Sequence, residues 1–259
     1  MTGASLQIAT LWWREITRFR RQRSRIVGAF LQPLVFWLLL GGGLSASFRP
    51  PGAPAGTNYV EYFYPGVIVL VLLFTAIFAT ISTVEDRKQG FLQGVLVAPI
   101  ARSTIVMGQA LGGTTLALLQ GIIFLILAPL AGIHLTIGAI AASILIMALV
   151  AFALTSIGLI IAWRIDSTQG FHAIMNLILI PIWLLSGAFF PATGAPAWLE
   201  WTMRFNPLTY GMAALRQSLY LGEAATASTS LLLSLAITVA FSVAMFAIAA
   251  SVASRAAAA

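Results

Sequence analysis

The sequence predicts an all-α membrane protein with six transmembrane helices, and three observations support this prediction. The 259 residues are 60% hydrophobic and 8% charged, with a mean hydropathy of +0.97, whereas soluble proteins are roughly 45–50% apolar and about 25% charged. Several uncharged runs reach the length of about 20 helical residues that crosses the hydrocarbon core of a bilayer. Basic residues outnumber acidic residues by 14 to 7, and 11 of the 14 basic residues fall on one predicted side of the membrane.

The amino-terminal segment 1–25 predicts an amphipathic helix that lies at the membrane surface. Apolar and basic residues fall on separate helical faces, with Trp12, Ile16 and Phe19 on one and Arg14, Arg18 and Arg21 on the other. An aromatic face beside an arginine face is typical of a helix in the membrane interface, where the arginines meet anionic headgroups. A positively charged anchor without a mechanical role and a signal peptide are the alternative interpretations.

Six uncharged runs predict the membrane spans. No charged residue occurs from Ser103 to Trp163, a stretch too long for one crossing, and Pro129 and Gly132 divide it into two helices. The predicted spans are residues 26–48, 63–84, 103–127, 139–162, 170–190 and 231–250. Six crossings place both termini on one side, and the distribution of Lys and Arg makes that side the cytoplasm. The whole chain, 1–259, is therefore predicted to form a single transmembrane domain.

The segment 85–100, between the second and third spans, begins with four consecutive charged residues, Glu85–Lys88, that sum to zero. Apolar residues four positions apart follow, as the pairs Phe91/Val95 and Leu92/Leu96, and make a narrow stripe on one helical face. Pro99 should end this helix. The pattern predicts a short cytoplasmic helix that is charged at its start, and an ordinary solvated turn is the alternative interpretation.

The segment 191–223 carries too many charged residues to cross the membrane and lies on the external side of the predicted topology. It includes Trp198, Trp201 and Phe205, and aromatic residues of this kind favour the membrane–water interface. We therefore expect one or two short helices that lie at the outer leaflet or dip into it. The earlier residues 49–62 are rich in proline and glycine and predict an external loop.

The composition argues against several kinds of site. The chain has no cysteine and two isolated histidines, so the sequence predicts no disulfide and no metal site. It contains no GxxxxGK[ST] phosphate loop, and ATP would therefore have to bind another chain. The predicted spans are nearly free of ionisable residues, which argues against a proton-coupled carrier and favours a hydrophobic or amphipathic cargo. The basic excess follows the membrane topology, and no nucleic-acid partner is expected.

Three motifs together resemble the type-2 ABC transporter permease family over nearly the whole chain. The motifs are the run Glu85…Arg87…Gly90…Leu92…Leu96…Pro99-Ile100, the sequence SGAFFP at 186–191 and the sequence NPLTYGMAALR at 206–216. They occur in the order and on the sides seen in permeases with a basic amino-terminal helix, six spans and a cytoplasmic helix between spans two and three. Phe91 stands where the family often has threonine, which leaves that helix without a hydroxyl cap.

The resemblance implies a permease dimer, expected to be a homodimer, with two copies of a separate ABC-type ATPase subunit that binds ATP and magnesium. The segment 85–100 would be the coupling helix, and it would dock on this ATPase through Glu85, Asp86, Arg87, Lys88, Gly90, Phe91, Leu92, Leu96 and Pro99. The segment 1–25 would be a connecting helix that touches the same subunit. The chain itself would have no catalytic site and no cofactor, and it would lie in a cell membrane of the bacterial inner-membrane type.

The expected function is export of a drug-like or lipid-like compound from the cytoplasm or the inner leaflet, as the resemblance to drug-resistance and lipo-oligosaccharide export permeases implies. The route is expected at the dimer interface, near the second and fifth spans. Candidate residues for the cargo path or an outer gate are Asn176, Phe189, Phe190, Asn206, Pro207 and Tyr210. For Asn176 the alternative is a hydrogen bond to a neighbouring helix, and for the aromatic residues it is an interfacial belt.

Three other functions stay open on the sequence. Export of a lipid-linked glycan would use the same mechanism, although carbohydrate favours more aromatic and polar lining than these spans provide. An intramembrane enzyme would need a catalytic dyad, and neither the two histidines nor Asp166 has a credible partner. A membrane scaffold without transport is opposed only by the resemblance of residues 85–100 to a coupling helix.

Overall fold

The computed structural model describes residues 3–44, 59–91, 94–95, 100–220 and 229–256, and all regular secondary structure in these residues is helical. The helices are α1 (Gly3–Arg21), α2 (Arg23–Leu44), α3 (Tyr59–Lys88), α4 (Arg102–Leu127), α5 (Ile137–Ala162), α6 (Thr168–Trp183), α7 (Ala197–Phe205), α8 (Pro207–Leu219) and α9 (Leu231–Ala256). Six of them, α2 to α6 and α9, are long and apolar enough to cross a membrane, α6 together with the π-helical turn Leu184–Ala188 that continues it. The prediction of an all-α protein with six apolar spans is confirmed.

Helix α3 lies at the centre of the bundle. Of the residues in its apolar stretch, 94% are buried, whereas the corresponding fraction is 22% in α2 and 17% in α9. A helix that is apolar all round belongs in the interior of a bundle, and helices α2, α4, α5 and α6 all pack against α3. The apolar surfaces of α2 and α9 are left to face lipid or another chain.

Glycines let the helices around α3 approach closely. A Cβ atom added at Gly158 of α5 would overlap Thr80 Oγ1 of α3, and one added at Gly113 of α4 would lie 2.5 Å from Thr155 Cγ2 of α5. Small residues at such contacts permit tight van der Waals packing between helices in lipid. Helices α3, α4 and α5 therefore form one closely packed unit.

Helix α1 packs into a groove on α4 that two glycines provide. A Cβ atom added at Gly108 would lie 2.7 Å from Leu11 Cβ, and one added at Gly112 would lie 2.7 Å from Glu15 Cβ. Glu15 and Phe19 are the buried residues of α1. One side of α1 is therefore docked on the bundle, in addition to the side that is expected to face the membrane.

Helix α3 runs without a break through the four charged residues Glu85–Lys88 and extends beyond the predicted span 63–84 at both ends. Gly90 follows with a φ of 75°, in the left-handed region that favours glycine and often ends a helix. The prediction that the segment 85–100 forms a helix of its own from Glu85 is therefore wrong at its start. The four charged residues form the last turn of α3, because the backbone first leaves the helical conformation at Gly90.

The predicted break between the third and fourth spans is confirmed. Residues Ala128–Ala131 form a 3-10 turn after α4, and Gly132 ends this turn with a φ of 85°. Thr136 then caps α5, because its hydroxyl accepts the Ala139 N–H at 3.1 Å. The turn and the cap separate two helices that together would be too long for one crossing.

Two short helices, α7 and α8, lie in the segment 191–223, in agreement with the one or two that the sequence predicts. Helix α7 is exposed along Trp198, Trp201 and Phe205, whereas α8 packs against α5 and α9. The two helices therefore differ in role: α8 belongs to the bundle, and α7 presents an aromatic surface.

Candidate functional site

The arginine-rich end of the bundle, where α1, the start of α2 and the end of α3 meet, holds a cluster of six charged side chains. This charge cluster comprises Arg14, Glu15 and Arg18 of α1, Arg25 of α2, and Glu85 and Asp86 of α3. Three arginines therefore face three carboxyl groups. Because the members come from three helices, the charge cluster joins those helices at one point.

Asp86 is the centre of the charge cluster. Its side chain is 2% exposed, and its two carboxylate oxygens accept hydrogen bonds from the two Nη atoms of Arg14, each at 2.7 Å. Arg18 Nη1 donates to the same carboxylate. A bidentate arginine–carboxylate pair fixes geometry as well as charge, and a buried carboxylate needs such partners to offset its lost hydration. Asp86 therefore holds α1 against the end of α3.

Glu85 extends the charge cluster to α2. Arg18 Nη2 donates to one of its carboxylate oxygens at 2.7 Å, and Arg25 Nη2 donates to the other. Since Arg18 also contacts Asp86, a single guanidinium bridges neighbouring acids on α3. The last turn of α3 is consequently tied to both α1 and α2.

Glu15 is buried where α1 meets α3 and α4. Ser82 donates its hydroxyl to Glu15 Oε2 at 2.8 Å, and Arg14 Nη1 donates to Glu15 Oε1 at 3.1 Å. Burial raises the pKa of Glu15 above its ordinary value, while the Ser82 hydrogen bond and the charge of Arg14 oppose this effect. Protonation of Glu15 therefore changes the charge balance of the cluster.

We expect Glu15→Gln to flatten the dependence of thermal stability on pH. Because burial raises the pKa of Glu15, the stability from this group is complete below the pKa of the unfolded chain and is lost as the pH rises through the folded pKa. Glutamine keeps an oxygen for Ser82 and cannot ionise. The melting temperature of the purified protein should therefore fall less in the variant than in the wild type between roughly pH 5 and pH 8. Parallel profiles, or an equal effect of Glu200→Gln in the exposed helix α7, would contradict this expectation.

The charged residues predicted to meet a partner protein differ in their accessibility. Glu85 and Arg87 are paired within the chain, Arg87 with Asp166 at 2.7 Å. Asp86, which is predicted to pair with a charge on another protein, is buried, and two arginines of the same chain hold it. Lys88 is exposed and makes no ion pair with the residues that the structure describes. Of the four charges in this turn, the one at Lys88 is thus left for a partner.

Phe91 follows the charged turn and stays accessible. Arg14 Cζ lies 3.9 Å from the centre of the Phe91 ring, yet the residue is 43% exposed. This cation–π contact holds Phe91 at the edge of the charge cluster, after the reversal at Gly90. The remaining residues predicted for coupling, Leu92, Leu96 and Pro99, lie outside the residues that the structure describes.

The six residues predicted for the connecting helix divide between two environments. They are Trp12, Ile16, Phe19, Arg14, Arg18 and Arg21. The apolar members contact the bundle: Trp12 Nε1 donates to Thr115 Oγ1 at 3.0 Å, and the other two pack in one cluster beside α3 and α4. Two of the arginines bind the acids of α3, and the third is exposed. Much of the predicted basic face is therefore used within the chain.

Four residues at this end, namely Glu15, Arg25, Ser82 and Asp166, were not predicted as members of a functional site. Glu15 carried a signal, since its spacing places it between Trp12 and Phe19 on the apolar side of α1, where an acid must find a partner. The other three bond to residues 60, 67 and 79 positions away in the chain. Local spacing contains no information about pairs so far apart.

At the opposite end of the bundle, aromatic residues of α3 meet the turn after α6. The Tyr59 hydroxyl donates to the Phe189 carbonyl at 3.0 Å, and the Phe189 ring stands edge-on to Phe63, with ring centres 5.9 Å apart. Phe190 contacts Phe189 at the margin of this group. Two of the predicted gate residues therefore belong to a packed aromatic cluster.

Asn206 and Pro207 form the start of α8. The Asn206 side-chain oxygen accepts the N–H two residues on at 3.0 Å, and Nδ2 donates to the Ile182 carbonyl at 2.6 Å. Pro207 occupies the first helical position, where a missing N–H is tolerated. The Tyr210 hydroxyl donates to the Arg204 carbonyl at 3.0 Å. These three residues, predicted for a cargo path, thus connect α7 to α8.

Helix α6 presents two features on its outer surface. A groove of about 540 Å³ runs between α6 and α7, and its walls include Pro181, Leu185, Trp201, Phe205, Asn206 and Pro207. Asn176 is exposed on the same helix, between the exposed residues Ile174 and Leu177. Helix α3 is enclosed within the chain, so of the two spans expected near the cargo route only α6 has a free face.

These features together are those of a helical membrane transport protein with a docked amino-terminal helix. The chain belongs to the ABC-2 type transporter family, whose sequence model matches residues 6–220. The resemblance drawn from the three sequence motifs is thereby confirmed, and it covers both the charge cluster and the segment with α7 and α8.

Three proteins illustrate the range of sequences to which this chain is similar. The chain is 27% identical over 207 residues to a protein of Cyanophora paradoxa named transport permease ycf38, covering 78% of this chain and 70% of that protein. It is 25% identical over 219 residues to Nodulation protein J of Rhizobium leguminosarum bv. trifolii, covering 83% and 82%. It is also 28% identical over 170 residues to ABC transporter G family member 20 of Dictyostelium discoideum, covering 64% of this chain and 23% of that protein.

Proposed function

We propose that the chain is the membrane-spanning subunit of an ATP-driven exporter of a hydrophobic or amphipathic compound, drug-like or lipid-like. ATP and magnesium bind a separate ABC-type ATPase, present in two copies, and a second copy of this chain completes the complex. The arginine-rich end and both termini face the cytoplasm of a bacterial-type inner membrane. Family membership supports the ATPase partner, and the distribution of Lys and Arg supports the orientation.

The observation that carries this proposal is the junction between Phe91 and the charge cluster. Exposed Phe91 and exposed Lys88 offer a docking point directly after α3. Arg14 contacts both the Phe91 ring and the Asp86 carboxylate, so this point is linked to α1 and α3. A displacement of a docked ATPase would therefore move the joined helices together, as a rigid-body transport cycle requires.

The outer face of α6 supports a second copy of the chain. Asn176 is exposed there beside Ile174, Leu177 and Ile178, of which Leu177 is 74% exposed. A carboxamide that faces lipid leaves its hydrogen bonds unmade. Two such faces packed about a two-fold axis can satisfy each other. The proposed homodimer therefore uses α6 and brings the groove between α6 and α7 close to the interface.

Export of a lipid-linked glycan is the second candidate function, and the groove between α6 and α7 favours it. Trp201 and Phe205 line this groove together with Thr202 and Asn206. Aromatic surfaces with a few placed polar groups suit ligands that combine apolar faces with hydroxyls, as sugars do. In this alternative the coupling at Phe91 is unchanged and the cargo differs.

The test is to coexpress the chain with the ABC ATPase encoded beside it, purify the complex after gentle extraction and measure ATP hydrolysis. We expect a stable complex, and we expect Phe91→Ala to weaken the association of the subunits by roughly tenfold, because aromatic anchors dominate docking energy. The matched control is Phe205→Ala, which removes an exposed phenylalanine from the opposite end. Failure to associate would favour a scaffold, and equal effects of the two variants would exclude Phe91 as the docking point.

A further inference from the structure

A small pocket lies at the end of the bundle opposite the charge cluster, between the turn after α6 and helix α8. Its volume is about 70 Å³, and the lining residues that matter for its chemistry are Ser186, Gly187, Thr209, Ala213 and Arg216. Arg216 stands in the last turn of α8. None of the residues that line this pocket lines the groove between α6 and α7, and the proposed coupling does not use it.

Arg216 is half-buried and has no carboxylate partner among the residues that the structure describes. Its Nη2 donates to the Gly187 carbonyl at 3.1 Å and approaches the Tyr62 carbonyl at 3.4 Å, and Cζ lies 4.3 Å from the centre of the Tyr62 ring. Its Nε atom is buried and has no hydrogen-bond partner within the part of the chain that the structure describes. Carbonyl dipoles and an aromatic ring orient the guanidinium, but none of the described residues supplies a counter-charge.

A guanidinium in this state favours one class of ligand. Arginine binds carboxylate and phosphate through parallel N–H donors, and its attraction for an anion is stronger where water is partly excluded. The hydroxyls of Ser186 and Thr209 donate to backbone carbonyls, and Arg216 is the cationic donor among the residues that line the pocket. A volume of about 70 Å³ holds a few water-sized groups, which suits an oxyanion and is too small for an acyl chain.

We propose that this pocket binds the oxyanion group, a phosphate or a carboxylate, of an amphipathic molecule whose apolar part lies against the surface of the bundle. The inference rests on the proposed export function, and it narrows the cargo to amphiphiles that carry a negative charge. The described residues of α3, α6 and α8 around the pocket include no other cation. Arg216 is therefore the group that recognises the anionic end of the cargo at this end of the bundle.

Because the chain has no cysteine, a single introduced thiol can report the charge of the pocket. Ala213 lines the pocket one helical turn before Arg216, and Ala213→Cys places the thiol there. Labelling rates are measured with methanethiosulfonate ethylsulfonate, which is anionic, and methanethiosulfonate ethyltrimethylammonium, which is cationic. We expect the ratio of anionic to cationic rates to be roughly tenfold higher than at Ala197→Cys, an exposed position outside the pocket.

Three further substitutions in the Ala213→Cys protein assign the preference to one charge. Arg216→Gln should abolish the preference for the anionic reagent. Arg204→Gln removes an equal charge from α7 and should leave the preference intact. Arg216→Lys keeps the charge and should retain most of the preference, which keeps the test decisive if the glutamine variant does not fold. No preference in the Ala213→Cys protein, or a preference that survives Arg216→Gln, would overturn the proposal.

Protection experiments identify the source of the anion. Lysophosphatidylglycerol and oleate, which carry a net negative charge, should slow the labelling of Ala213→Cys, whereas zwitterionic lysophosphatidylcholine should not. Equal protection by the zwitterionic lipid, or by inorganic phosphate alone, would overturn an anionic amphiphile as the ligand. The labelling requires no ATPase. A negative labelling result is therefore distinguishable from a failure of the chain to associate with the ATPase, which is the test of the proposed function.

Discussion

Asp86→Ala should lower the free energy of unfolding by roughly 3 kcal/mol, the lower end of the range for breaking a buried ion pair, because the arginines it strands are partly exposed. The substitution leaves Arg14 and Arg18 at the helix junction without the carboxylate that they share. It also releases α1 from the end of α3. Thermal unfolding of the purified protein measures the first effect, and recovery of the ATPase complex measures the second.

The matched control for this substitution is Asp166→Ala. Asp166 also pairs with an arginine at 2.7 Å, but its side chain is 83% exposed. Exposed ion pairs contribute about 1 kcal/mol or less, so the control should unfold close to the wild-type temperature. Similar losses from Asp86→Ala and Asp166→Ala would mean that burial at the charge cluster is not what makes Asp86 important.

Gly112→Leu should undock α1 from α4. Even a Cβ atom at this position would lie 2.7 Å from Glu15 Cβ, and overpacking of a tight contact costs about 1–3 kcal/mol. This cost lowers the equilibrium constant for docking of α1 on α4 by roughly tenfold to a hundredfold. We therefore expect hydrogen exchange along α1 to be faster by a similar factor, and the stimulation of ATP hydrolysis by the permease to be reduced.

Gly42→Leu is the control for this second substitution. It makes the same chemical change in the last turn of α2, where no atom of the described residues lies within 4 Å of an added Cβ atom. This variant should insert, fold and stimulate hydrolysis as the wild type does. Unchanged exchange of α1 in Gly112→Leu would contradict the expected undocking. Faster exchange with unchanged ATP hydrolysis would mean that the contact of α1 with α4 has no part in coupling.

The six membrane-spanning helices could be predicted from the sequence, because a lipid solvent imposes simple requirements. A run of about 20 uncharged residues has few alternatives to a membrane helix, and the break at Pro129 and Gly132 follows from backbone chemistry. The end of α3 was harder to predict. Four charged residues after an apolar run suggest the membrane boundary, but helix continuity depends on the backbone, which first turns at Gly90.

The site could be predicted only in part. The segments around Arg14 and Glu85 were identified, because both are exceptional in an apolar chain. Their mutual pairing was not, since Asp86 and Arg14 are 72 positions apart and meet only when α1 docks. For Asn206 a local signal existed: an Asn-Pro pair at a helix start is typical of a cap. The pocket beside Arg216 depends on Gly187, whose φ of 79° interrupts the helical turn after α6. No pattern of apolar residues predicts that interruption.

The enclosure of α3 bears on how the chain is made. Helix α3 leaves the ribosome before α4, α5 and α6, so it must first stand in the bilayer without most of its final neighbours. Its own backbone prepares it for this, because Thr75 and Thr80 donate their hydroxyls to carbonyls four residues earlier. A helix with its polar groups satisfied internally inserts independently. The later helices can then gather around it, so that biosynthesis proceeds outward from the middle of the finished protein.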